Sequence, residues 1–242
     1  MKTTVTNVYF GRQTINGAWW VDGTRAVHRL YFVNSGTAVV KYAGKTRTLC
    51  AGNIYLLPRS DDFETVDAKD FDHTFFDYYS IPALRFDSFT QIDGGKSGYR
   101  DFFSFLNTAF AEKKLDKRTA KDFLCGILSV IDKNENLPYI TNTLIIMALD
   151  IIHADAINET TESVAQRLNL NKSYFIQLFS RTVGTTPMKY IRSLRVQEGI
   201  KLLKDGMSVE ETAEKCGFSA TSGFFKAVRR EYGCTPKWFK KE

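Results

Sequence analysis

Ser173-Tyr174-Phe175, Arg181, Gly184-Thr185-Thr186-Pro187 and Tyr190 return as Ser222-Gly223-Phe224, Arg230, Gly233-Cys234-Thr235-Pro236 and Phe239, at a constant offset of 49 residues. The stretch ahead of each copy repeats as well, Thr160 to Ala165 against Ser208 to Ala213, but there the offset is 48. One residue is therefore gained in the turn of the second copy. A period that holds within each half and slips only at a turn marks two copies of one small unit. Apolar residues recur at helical spacing in both halves, so the unit reads as a helix, a short turn and a second helix. That arrangement is built to place its second helix in the major groove of double-stranded DNA.

The first copy, about 160–183, opens on Thr160 as N-cap, with Val164, Ala165 and Leu168 on one side of a helix and Asn169 suited to the left-handed residue that ends it. The following helix, about 172–182, is expected to bury Phe175, Leu178, Phe179 and Thr182. Ser173, Ile176, Gln177 and Ser180 then form the outward stripe, with Lys172 and Arg181 available to phosphates. The second copy, about 208–232, has the capping box Ser208-x-x-Glu211 and Gly217 in its turn, and buries Phe224 and Val228. It presents Thr221, Ser222, Phe225 and Lys226, followed by Arg229 and Arg230. An outward Phe225 suits a thymine methyl or packs on a neighbouring helix, and the sequence leaves both open. Between the copies Pro187 opens a helix that runs to Lys204 on Ile191, Leu194, Ile200 and Leu203. At about 1.5 Å per residue such a strut spans about 25 Å, enough to hold two reading helices near one turn of DNA, about 34 Å, apart.

Charge agrees with this reading. Residues 161–242 carry 15 Lys and Arg against 8 Asp and Glu, whereas the rest of the 242-residue chain carries 18 against 19. The formal excess of +6 thus belongs to the repeat region, as expected of a surface that meets phosphates. Cys50, Cys125, Cys216 and Cys234 form no CxxC pair, which fits a reduced, cytoplasmic setting. The N-terminus lacks the apolar core of a signal peptide, and the most apolar stretch, Leu144 to Ile152, is interrupted by Asp150, so no membrane association is expected.

Residues 142–242 resemble the DNA-binding domain of the AraC/XylS family of bacterial transcription regulators. The resemblance rests on Ala213 to Phe218, Phe224, Arg229-Arg230-Glu231-Tyr232-Gly233 and Thr235-Pro236, on both Gly-x-Thr-Pro closures, and on a linker helix with Arg195 and Leu202-Leu203. Gly223 stands where the family usually has an aromatic or His, Val228 replaces a Phe, and Gly199 replaces an Ala. Gly inside a helix costs about 1 kcal/mol relative to Ala, so the second module is expected to be softer than the first. The resemblance implies an upstream cupin-like β-barrel for an effector, helices that pair two subunits into a homodimer, and activation through contact with RNA polymerase.

The upstream sequence has that order, and the whole chain is read as α+β. Short β-branched and aromatic runs at 29–33, 37–42, 46–49, 53–57 and 73–79, broken by Asn34-Ser35-Gly36, Ala43-Gly44, Ala51-Gly52 and Pro58, favour an all-β sandwich or barrel, and the resemblance implies the cupin-like barrel, over 1–90. The period then changes to 3.6. Phe102, Phe103, Leu106, Ala109 and Phe110, then Phe123, Leu124, Ile127, Leu128 and Ile131, mark two amphipathic helices within 97–135 as the dimerisation region. The barrel is rich in rings, including Trp20, Phe63 and Tyr79. Arg12, Trp19, His28, Arg29, Tyr31, Tyr55, Phe75 and Tyr78 are the candidate effector contacts, suited to stacking on a sugar and holding its hydroxyls. Alternate aromatics along a strand also build ordinary cores, which leaves a regulator whose barrel is only a dimer scaffold as an alternative. A cupin enzyme or sugar-binding protein is the remaining class. Only His28, His73 and His153 are available to a metal, so neither metal, cofactor nor catalysis is expected. Gly95-Lys96-Ser97 ends like a phosphate loop, but Thr90 occupies the place of its first Gly.

Overall fold

In the computed structural model the described residues are 4–19, 27–42, 44–57, 63–81, 83–84, 89–96, 98–112, 114–137 and 139–240. Trp20, Ala43, Pro58 and Ser97 lie outside them, as does the Tyr79 side chain. The chain forms two compact units, one holding the described residues up to Thr141 and the other running from Asn142 onward.

The first unit is a six-stranded antiparallel sheet with two helices. Its strands are β1 (Thr4–Ile15), β2 (His28–Tyr42), β3 (Lys45–Cys50), β4 (Asn53–Leu57), β5 (Glu64–Ile81) and β6 (Thr90–Asp93). They follow the order β1-β5-β2-β4-β6, with β3 paired to the far half of β2. Among the described residues no pairing joins β1 to β6, so the expected barrel is an open sheet compatible with a cupin-like jelly roll. Asn34-Ser35-Gly36 does not reverse the chain. It lies inside β2, where the register against β5 shifts on either side of Ser35. Gly36 has φ 71°, and a Cβ there would stand 2.1 Å from the Asp70 carbonyl oxygen, so the bulge requires glycine. The bulge lets β2 pair β4 with its first half and β3 with its second, which the sequence expressed as two separate strands.

Helices α1 (Tyr99–Ala111) and α2 (Lys117–Glu135) cover one face of this sheet. Leu30, Ile54, Leu56, Phe76 and Tyr78 from the strands share a core with Phe103, Leu106, Leu124, Ile127 and Ile131. Phe32 stacks on Phe103 at 4.1 Å between ring centres. A polar ring fastens α1 to the strands: Asn107 donates to Asn34, Asn34 to Asp72, and Thr74 to Asn107. The motif at Gly95-Lys96 does lie between a strand and a helix, but Lys96 pairs with Glu135 on α2 at 3.0 Å.

The second unit is all helical: α3 (Thr143–Ala154), α4 (Thr161–Arg167), α5 (Lys172–Val183), α6 (Pro187–Lys204), α7 (Val209–Lys215) and α8 (Thr221–Tyr232), closed by a 3-10 turn at Pro236–Phe239. The repeat is exact at the level of elements: α4 and α7 have seven residues each, α5 and α8 twelve.

Candidate nucleic-acid interface

Each module starts on a reciprocal capping box, Thr160 with Ser163 and Ser208 with Glu211, which satisfies two orphan amides at once. Each turn passes through one left-handed residue, Asn169 at φ 54° and Gly217 at φ 72°. Each second helix ends on a left-handed glycine, Gly184 or Gly233, whose amide returns to Ser180 or Arg229. These devices stop the chain at fixed points, so α5 and α8 leave their turns in defined directions.

On α5 the buried residues are Phe175, Leu178, Phe179 and Val183. Thr182, expected in that set, is half-buried and donates its hydroxyl to the Leu178 carbonyl. Lys172, Ser173, Gln177 and Arg181 are exposed, and Ile176 and Ser180 are half-exposed beside them. Tyr174, 52% exposed, joins this surface although the sequence pattern did not single it out; a large apolar ring left outside at a helix start was the available signal. Lys172 is paired with Glu162 of α4, so a phosphate would have to displace a carboxylate there. On α8, Phe224, Ala227, Val228 and Glu231 are buried, Ser222, Lys226, Arg229 and Arg230 are exposed, and Thr221 is half-exposed. Phe225 is half-buried and packs against the core of its own module, favouring the neighbour-packing alternative for its ring.

The linker α6 holds both modules. Its Ile191, Leu194, Ile200 and Leu203 are all buried. The Arg195 guanidinium donates to the carbonyls of Ala156, Ile157 and Glu159 ahead of α4 and to Gly217 in the second turn, at 2.8 to 3.1 Å. One side chain thus ties the entrance of the first module to the turn of the second, and burial holds its pKa below the usual arginine value. Sequence reasoning named Arg195 as part of a resemblance but had no way to see four carbonyls converge on it.

In the first unit the candidate effector residues divide between the two faces of the sheet. Arg29, Tyr31, Tyr55 and Phe75 alternate with the residues under α1 and α2, so they share the opposite, inner face. Arg29 is fully buried, 3.7 Å from Asp77 and over the Phe63 ring. Tyr31 and Phe71 flank His73, which burial pushes down to about 4 and keeps neutral. Trp19 packs on Phe71. His28 and Tyr78 lie on the helix-covered face and touch each other, with burial pushing the Tyr78 hydroxyl strongly upward. Arg12 is partly exposed and bound to Asp72, whose carboxyl it holds below the usual carboxylate range.

Residues 164–242 match the family model described as a helix-turn-helix domain. Over 78 residues the chain is 37% identical to the RCS-specific HTH-type transcriptional activator RclR of Escherichia coli K12, covering 32% of this chain and 28% of that protein. Over 84 residues it is 31% identical to the HTH-type transcriptional regulator AlkR of Acinetobacter baylyi, again 28% of that protein's length. The chain thus spans little more than a quarter of these relatives. Its whole fold is similar to that of ToxT from Vibrio cholerae O395, at 18% identity and a TM-score of 0.60, covering 99% of this chain and 98% of that one. Among the described residues no helix is long and apolar enough to cross a membrane.

Proposed function

We propose that this chain is a member of the AraC/XylS family of transcription regulators, that it binds specific sequences in double-stranded DNA through α5 and α8, and that it changes transcription in response to a small molecule held on the face of its N-terminal sheet opposite α1 and α2. The observation that carries this reading is the pair of polar helix surfaces, Ser173, Gln177 and Arg181 on α5 and Ser222, Lys226 and Arg230 on α8, fixed to a single linker by Arg195. Two such helices on one rigid support read two consecutive major-groove segments with one polypeptide. The regulators that share the domain support this class of activity over an enzyme.

The chain acts as a cytoplasmic homodimer joined through α1 and α2, where Phe105 is 65% exposed and stacks along Phe123. The effector biases how the two subunits present their DNA-binding units, and the transcriptional response runs through RNA polymerase. For the effector, the rings around Arg29 suit a sugar. ToxT, the fold relative, has been solved with an unsaturated fatty acid and with a methylnaphthalenyl butenoic acid, which favours an apolar carboxylic acid as the second reading.

Selection of random duplexes on the purified chain tests the DNA reading. A recurring motif should emerge, with affinity falling steeply as salt rises; failure to enrich any sequence at low salt defeats it. Thermal unfolding with sugars and with unsaturated fatty acids tests the effector. A ligand at 100 times its dissociation constant adds about 2.7 kcal/mol of stability. If neither class stabilises the chain or alters DNA binding, the sheet serves only as a dimer scaffold.

A further inference from the structure

An open cleft of about 600 Å³ lies in the second unit, lined from both modules: Lys172 and Ile176 of α5, Met188 and Arg192 of α6, and Phe218 and Ser219 just ahead of α8. Three cations line it, and they are in different states. Arg195 is committed to four backbone carbonyls, and Lys172 is paired with Glu162. Arg192 has no hydrogen bond or ion pair among the described residues, and its Nε is buried without an acceptor. A buried guanidinium nitrogen left unmatched is costly, and a bound acceptor recovers that cost. Two carboxylates also line the cleft, Glu159 and Glu162, but each is already paired, with Arg167 and Lys172, and among the apolar lining residues Met188 is 63% exposed.

Resting on the DNA-binding reading above, we infer that this cleft seats one of the two sugar–phosphate ridges that flank the minor groove between the two major-groove segments, with Arg192 donating to a phosphodiester oxygen and Met188 and Phe218 packing on deoxyribose. A duplex entered by both α5 and α8 presents such a ridge between them, and this cleft is bordered by the start of α5 and the approach to α8. Arg192 then fixes register and spacing without reading a base. It sets how far apart the two read segments stand.

The test uses the full chain and a duplex selected by the wild type from random sequence. Arg192→Ala should make the dependence of log affinity on log salt shallower by about one unit, the value of one lost phosphate contact. It should also weaken all sequences alike, and Arg192→Lys should keep the slope. Met188→Glu, which puts a carboxylate against the ridge at an exposed position, should lower affinity at least tenfold at low salt while leaving thermal unfolding unchanged. The proposal is overturned if Arg192→Ala keeps the wild-type slope, if Arg192→Lys loses it equally, or if Met188→Glu binds normally. It is also overturned if Arg192→Ala abolishes stabilisation by an unsaturated fatty acid and spares DNA binding, which would make the cleft a small-acid site. A wild type that enriches no sequence defeats the DNA reading itself, whereas a selected site with an unchanged Arg192→Ala slope defeats only the cleft.

Discussion

The two helix-turn-helix modules repeat one phrase yet are anchored differently. In the first, Asn171 caps α5 by accepting from the Ser173 amide; in the second, Ala220 stands at the N-cap of α8 and offers no side-chain bond. Counted at the offset of 48, the partner of Asn171 is Ser219, which could cap, but the inserted residue pushes Ala220 into the position. The first module is tied to α6 by rings: Phe179 meets Tyr190 edge-on, and the Tyr190 hydroxyl is 2.8 Å from His153 Nε2 on α3. The second is tied by close approach. A Cβ on Gly199 would lie 2.6 Å from the Phe224 ring, and the buried Glu231 accepts from Ser193 at 3.0 Å. Gly199 is therefore the space into which α8 packs, and its helix-propensity cost is set against the contacts of a fully buried ring. Gly223 has no such partner, since a Cβ there would meet only Phe218 at 3.8 Å. The expected softness of the second module thus belongs to the start of α8, where the cap is missing, rather than to its seat on the linker.

The largest test removes what the modules share. Arg195→Met should strand carbonyls in both and cost about 3 kcal/mol, given the worth of charged hydrogen bonds and of buried acceptors left unpaired. Denaturant unfolding should show both modules weakened, and loss confined to one would break the picture of a common clamp. Acid should then separate them, because His153 is the only histidine of the second unit and belongs to the first module's support. Burial lowers it from 6.5 to about 4, so the unfolded chain takes up the proton first. Stability contributed by neutral His153 is full above pH 6.5 and declines as pH falls toward about 4. His153→Gln should flatten this part of the thermal midpoint against pH, and an unchanged profile would refute the assignment. Gly199→Ala should overpack the second module by about 1–3 kcal/mol, less about 1 regained in helix propensity. Footprinting should show protection fading over the α8 half of the site first. The smallest effects concern the caps. Asn171→Ala should cost about 1 kcal/mol and Ala220→Ser should add about as much; equal responses of opposite sign in thermal unfolding would sharpen the comparison, and no gain from Ala220→Ser would break it.

Much of the helical unit was legible because its signals are local. Caps, left-handed turn residues and a 3.6 period each depend on a few neighbours, so Thr160, Asn169, Ser208 and Gly217 could be assigned from the chain alone. The sheet was less legible. β1 was not singled out, β5 begins at Glu64 rather than His73, and β6 falls within a stretch that reads as polar loop. Strands are defined by partners far along the chain, and β1 against β5 brings together Gly11 and Phe75. The candidate effector set shows the same limit: composition collected rings and cations, while the register alone put Arg29 and Tyr31 on one face and His28 and Tyr78 on the other.

By itself the sequence determined that there are two copies of a helix-turn-helix unit, where each turns, and which polar side chains α5 and α8 offer outward, since these follow from short-range geometry and helical periodicity, whereas the places of the Tyr174 and Phe225 rings did not follow from it. Only the tertiary structure decided that Lys172 is held by Glu162, that Gly199 is a socket for Phe224, and that Arg195 is spent on carbonyls while Arg192 is not. Those outcomes depend on which groups from distant segments meet in space and satisfy one another's polar atoms. No spacing along the chain encodes that.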